Sequence, residues 1–240
     1  MRPRNAILLA AVLVFVVSSW VPFGSTALYP LSLFTTWVHE MGHGLTALIL
    51  GGQFDHLMIF RDGSGLAYCG AAPGWPMALV SLGGLLAPPI LGTVILGVVH
   101  GPRRARIFLA LLAAALVVSM LIFVRSPAGL ISMPLVAALL AWAAWRGFAE
   151  KPERRVILAQ VLGVMLAVDT LTRMVSYVFE KKVTVDGVES TSDIGSVAEN
   201  LGGHYYLWGM LVTAIAVGLL ALGMWWAWGR PAKQLAPAKR

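Results

Sequence analysis

The sequence predicts an all-α polytopic membrane protein of six to seven transmembrane or re-entrant helices, with a short β-hairpin after the second helix. Three observations carry that prediction. Of 240 residues, 58% are apolar and only 12% are charged, with a mean hydropathy of +0.79, a composition suited to lipid rather than to a soluble globular domain. Apolar runs long enough to span a bilayer recur along the chain, separated by short basic loops. Asp62 and Gly63 stand between two β-rich segments, a hairpin signal. The net charge of +7 reads as a topology signal and not as a nucleic-acid surface, because Lys and Arg sit mostly in short loops and at the termini. The single cysteine, Cys69, excludes an intrachain disulfide and leaves the compartment open. Residues 1–240 are expected to form one integral membrane domain, multi-pass in the cell membrane, with a polar extramembrane stretch over 181–204.

Arg2 and Arg4 precede the apolar run Ala6 to Trp20, and no small-residue cleavage site follows it. A retained first span is expected rather than a signal peptide. Leu31 to Leu50 is the second span, ended by Gly51 and Gly52. Inside it lies HEMGH, with His39 and His43 four apart on one helical face and Glu40 beside them. Two imidazoles in that spacing can reach one metal, and the carboxylate can take a proton from metal-bound water, the arrangement of zinc hydrolases. Three ionisable side chains in an apolar helix need a compensating interaction, and a metal supplies one. The alternative is a buried polar cluster hydrogen-bonded to neighbouring helices.

The segment QFDHLMIFRDGSGLAYCG follows. As a hairpin beside the motif it offers an edge strand for an extended substrate segment, or it is a plain connection. His56 and Cys69 lie here as minor ligand candidates, with structural roles as the alternative. Met77 to Val99 is apolar but interrupted by Gly83, Gly84, Pro88 and Pro89, which reads either as a kinked span or as a re-entrant pair of half-helices. After the basic loop HGPRRAR come two plain spans, Ile107 to Val124 and Leu130 to Trp145, then a loop carrying Arg146, Lys151, Arg154 and Arg155.

Val156 to Phe179 holds Asp169 near its middle and Arg173 one turn on. Asp169 is expected as the third metal ligand, since a catalytic zinc site uses three protein ligands and an open position; an internal Asp169–Arg173 pair is the competing account. The stretch from Lys181 to His204 carries Asp186, Glu189, Asp193 and Glu199, mostly solvated charges, with Asp193 the reserve ligand and His204 a weaker one. Leu207 to Trp228 is the last span, with tryptophans at its end, and the tail 230–240 is basic and expected to be disordered. Full crossing by every segment would put Arg2 and Arg4 outside. A turn-back at Met77–Val99 places all four basic clusters inside, and is the expected solution.

The residues HEMGHGLTALILGG with the DGSG hairpin, GGLLAPPILG, Asp169 and SDIGSVAENLGGHYYLWG together resemble the bacterial site-2 protease-like family of intramembrane zinc metallopeptidases, in its small branch without a soluble domain. The resemblance implies Zn2+ bound by His39 and His43, Glu40 as general base, and Asp169 as the carboxylate from a later helix. It also implies hydrolysis of peptide bonds in membrane-associated substrates, with a membrane protein and the bilayer as partners and no nucleic acid. Well-studied members carry that aspartate in an Asn-Pro-rich motif ending in Asp-Gly, whereas Asp169 lies in LAVDTLTR, and the only asparagines are Asn5 and Asn200. Two other classes fit the residues: a metal-binding adaptor without proteolysis, and an ion or proton relay through His39, Glu40 and Asp169.

Overall fold

The computed structural model describes residues 3–18, 28–177, 180–185 and 187–229, with the side chains of residue 3 and of 173–177 outside that description. Its elements run α1 (Pro3–Ser18), α2 (Tyr29–Ile49), β1 (Gln53–Ile59), β2 (Gly65–Gly70), α3 (Trp75–Val98), α4 (Pro102–Ile122), α5 (Pro127–Trp145), α6 (Glu153–Tyr177), β3 (Lys182–Val185), β4 (Val188–Thr191), α7 (Asp193–Leu201) and α8 (Tyr205–Gly229). The protein is an all-α membrane protein with small hairpins, and five of the described helices, α3 to α6 and α8, are long and apolar enough to cross a bilayer. Burial sorts them. In α6, 72% of the apolar stretch is buried and in α3 56%, against 33% in α4 and α5 and 28% in α8, so α6 and α3 are inner helices and α4, α5 and α8 face lipid on most of their surface. Exposed Leu111, Leu121, Leu135 and Trp225 are the lipid-facing side chains such a surface needs.

The polar motif helix α2 is spared that exposure. Phe34, Trp37 and Val38 are buried, and the helix packs against α3, β1, β2 and α6. Its ionisable groups therefore face protein, which is where the cost of carrying them in an apolar helix can be met.

The turn-back expected at Met77–Val99 does not form. Trp75–Val98 is one helix of 24 residues with Pro88 and Pro89 inside it, about 36 Å long at 1.5 Å per residue. Pro89 has no N–H for the Leu85 carbonyl, but the Thr170 hydroxyl on α6 donates to that carbonyl at 3.0 Å. A hydroxyl from a neighbouring helix thus replaces the missing ladder bond, and the helix continues. Gly92 lets α3 and α6 approach closely, since a Cβ there would strike the Gly163 carbonyl.

The expected hairpin is present. β1 pairs antiparallel with β2, with a register shift between Phe54 and His56. Asp62 closes its turn by accepting from the Ser64 amide at 2.9 Å and hydroxyl at 2.6 Å, and Gly63 takes a φ of 87° that favours glycine. The outer edge of β1 is already used: Leu57 donates to the Phe123 carbonyl at 2.9 Å, and Arg125 donates to that of Leu57 at 3.0 Å. No backbone partner occupies the outer edge of β2 among the described residues.

A second hairpin, β3–β4, stands in the stretch read as solvated, with Val183 opposite Ser190. Its signal was present in sequence: VTVDGVEST has the same Asp-Gly step between β-rich flanks as the first hairpin. Ser192 then caps α7, its hydroxyl accepting from the Gly195 amide at 3.0 Å.

Candidate metal centre

Helical spacing puts His39 and His43 side by side on α2, their Nε2 atoms 3.1 Å apart. The His43 Nδ1–H donates to the Val80 carbonyl at 2.9 Å, which fixes the tautomer and leaves Nε2 as a lone pair aimed at its neighbour. Gly84 makes room for that ring, since a Cβ there would run into it.

The third group comes from the chain's far end. Asp193, the first residue of α7 after its Ser192 cap, places Oδ2 3.1 Å from His39 Nε2 and Oδ1 3.4 Å from His43 Nε2. Among the described residues, His39, His43 and Asp193 form the one group of three metal-type donors whose atoms all lie within 4.8 Å of one another. Zinc–ligand bonds of about 2.0–2.1 Å at tetrahedral angles put ligand atoms about 3.3 Å apart. The two imidazole nitrogens stand 3.1 Å apart, and one Asp193 oxygen lies 3.1 Å from His39 and the other 3.4 Å from His43, spacings close to that value. Burial raises the proton affinity of the Asp193 carboxyl, but the neighbouring His43 and His39 outweigh it, and the net shift is well below the usual carboxylate range. The donor set is two imidazoles and a carboxylate, which suits zinc.

Asp169, expected as the third ligand, is not brought into this group. It is buried on α6, where its Oδ1 accepts from the Thr35 hydroxyl at 2.9 Å. Thr35 lies one turn before His39 on α2, so α6 presents its carboxylate about 6 Å along the helix axis from the level of the imidazoles. The competing Asp169–Arg173 pair involves a side chain outside the described residues. Asp193, held in reserve, stands where Asp169 was expected. The minor candidates lie elsewhere: His56 pairs with Asp55 at 2.9 Å and stacks on Tyr68, and His204 stacks against Tyr205 and Tyr206.

Glu40 is buried beside the two histidines. Its neighbour across the cleft wall is Gly65 of β2, where a Cβ would come within 2.6 Å of Glu40 Oε1, so the strand needs glycine there. Thr36 ties the hairpin turn to the same helix, donating to the Gly63 carbonyl at 2.7 Å. All four polar groups open onto a cleft of about 360 Å³. Its walls include Gly65, Leu66 and Ala67 of β2, and Val183, Val185 and Ser190 of the second hairpin. Cys69 also lines it; burial pushes its thiol up to about 11, with Glu40 and Asp193 adding to the rise.

Two interactions dock α7 so that Asp193 reaches the histidines. Ser81 on α3 and Ser196 on α7 share a hydrogen bond of 2.8 Å, and the Asn200 side chain accepts from the Gly74 amide at 2.9 Å. Neither was read from the sequence, because each joins residues more than a hundred positions apart.

Neither a curated relative nor a solved structure matches the chain. A family model described as Peptidase M50B-like matches residues 6–223, a span that takes in the motif helix, both hairpins and Asp193, and the chain belongs to that family.

Proposed function

We propose that the protein is an intramembrane zinc endopeptidase, multi-pass in the cell membrane, that hydrolyses peptide bonds of membrane-associated substrates. The observation that carries this reading is the convergence of three donors, with the His39 and His43 Nε2 atoms 3.1 Å apart and one Asp193 carboxylate oxygen 3.1 Å from the first and the other 3.4 Å from the second, and with a buried carboxylate, Glu40, beside them. Asp193 replaces Asp169 as the proposed third ligand. Zinc held by those three residues supplies Lewis acidity, which brings the pKa of water down to near neutral and polarises a carbonyl.

Glu40 is the general base. It takes the proton of the attacking water as the new carbon–oxygen bond forms, and gives it to the nitrogen as the carbon–nitrogen bond breaks. The products are a carboxylate and an amine, with no other reactant. His43 holds its ligating nitrogen by donating from the other to Val80. The open outer edge of β2, next to Glu40, can receive an extended substrate segment by strand addition. A substrate helix has its own amides bonded internally and must unwind to use that edge.

Elemental analysis of the detergent-purified protein tests the site. About one zinc per chain is expected in the wild type and in Asp169→Ala, and little in His39→Ala and Asp193→Ala. Glu40→Gln should keep its zinc and lose about 10²- to 10⁴-fold in cleavage rate. A wild type that takes up no zinc when it is offered overturns the reading.

A further inference from the structure

The cleft has a wall that the chemistry above leaves without a role. In β3–β4 the half-buried Val183 and Val185 alternate with exposed Lys182 and Thr184, and Ser190 stands opposite Val183. Period-two alternation puts Val183, Val185 and Ser190 on one face of the hairpin, and all three line the cleft, with Thr184 and Thr191 at its margin. Leu66 and Ala67 of β2 line the same cleft. Apart from His39, Glu40, His43 and Asp193, no charged side chain of the described residues lines the space between them. The roof is also continuous with the proposed metal site, because β4 runs through Ser192 directly into Asp193.

We propose that the β3–β4 hairpin is the selective wall of the cleft, with Val183 and Val185 contacting the side chains that flank the bond to be cut, so that uncharged apolar neighbours are accepted and charged ones refused. The proposal rests on the metallopeptidase reading. Its physical basis is asymmetric. An apolar side chain entering between the valines and Leu66 gains by leaving water, whereas an ionised one loses its hydration and finds no partner of opposite charge on the hairpin or on β2, the charged groups of the cleft being those of the metal site. The metal-binding and base-bearing walls are built on α2 and α7 for other purposes; among the described residues the two valines are the apolar side chains by which the β3–β4 hairpin, the roof of the cleft, lines it, and they are free to discriminate.

Binding of small hydroxamates to the zinc-loaded full chain in detergent, followed by calorimetry, tests this without relying on turnover. Acetohydroxamate reads the metal alone. Acyl-amino-acid hydroxamates carrying a leucine, aspartate or lysine side chain read the roof. In the wild type the leucine compound should bind about tenfold more tightly than acetohydroxamate, and the aspartate and lysine compounds no more tightly than it. Val185→Asp should move the preference to the lysine compound by about tenfold while leaving acetohydroxamate unchanged. Val183→Ala should reduce the leucine advantage severalfold, and serves alone should Val185→Asp fail to fold. Equal binding of the three side chains in the wild type, or an unchanged ranking in the variants, overturns the proposal while acetohydroxamate binding keeps the metal reading. No acetohydroxamate binding by a chain that also lacks zinc brings down the metallopeptidase reading, and this one with it.

Discussion

The two hairpins are built from the same local signal and end in different mechanical states. Both place an Asp-Gly step between β-rich flanks, and both border the cleft. β1–β2 is tied down on several sides. Leu57 and Ile59 are fully buried, residues 123–125 bond to β1, the Ser126 hydroxyl accepts from the Ile59 amide at 2.8 Å, and Thr36 and Tyr29 hold the turn. β3–β4 has no fully buried residue among those described. It is fastened at its base, where the Ser192 amide donates to the Lys181 carbonyl at 2.9 Å and the Ser192 hydroxyl to that of Glu180 at 3.0 Å. The exposed Lys182–Glu189 and Lys181–Glu199 pairs add little. A tight turn specifies a hairpin, but burial of its side chains decides whether the hairpin is a fixed floor or a lightly held roof.

The strongest way to break that comparison is a pair of truncations. Leu57→Ala on the floor should cost about 2–5 kcal/mol, the range for deleting a fully buried leucine, whereas Val188→Ala on the roof, 67% exposed, should stay within about 0.5 kcal/mol. Thermal unfolding in detergent reads both, and equal losses would mean that the roof is as firmly packed as the floor. A smaller effect separates the two aspartates. Asp169→Ala removes one partner of the buried Thr35 hydroxyl, which keeps the Ser32 carbonyl, and should cost about 1 kcal/mol in the same assay, with zinc content unchanged; lost zinc would return Asp169 to the ligand set. The smallest effect concerns Cys69 on the floor strand. With its thiol raised to about 11, the thiolate is scarce at pH 8, so alkylation by iodoacetamide should run at least ~10-fold slower than for free cysteine and accelerate as pH rises. A rate matching free cysteine at pH 8 would show the strand to be open to water.

Much of the site was legible because it is local. His39, Glu40 and His43 fall within five residues, and helix geometry alone sets their relation. The first hairpin was equally readable from Asp62 and Gly63, and the second carried the same cue, outweighed in reading by the charges around it. Length and hydropathy marked the crossing helices, while the interruptions in α3 misled, because the group that meets the Leu85 carbonyl is Thr170, far along the chain.

By itself the sequence determined a polytopic helical membrane protein, a pair of imidazoles and a carboxylate on one helix, and a hairpin beside them, since each follows from composition or from spacing within a few residues. Only the tertiary structure decided which distant carboxylate completes the trio. Asp169 had the better position in a predicted span, yet α6 docks it one turn away against Thr35. Asp193, 150 positions beyond His43, is delivered by a short capped helix held through Ser196 and Asn200. Packing between helices sets the axial level of every side chain they carry, and a ligand set demands agreement to within an ångström, which no one-dimensional period encodes.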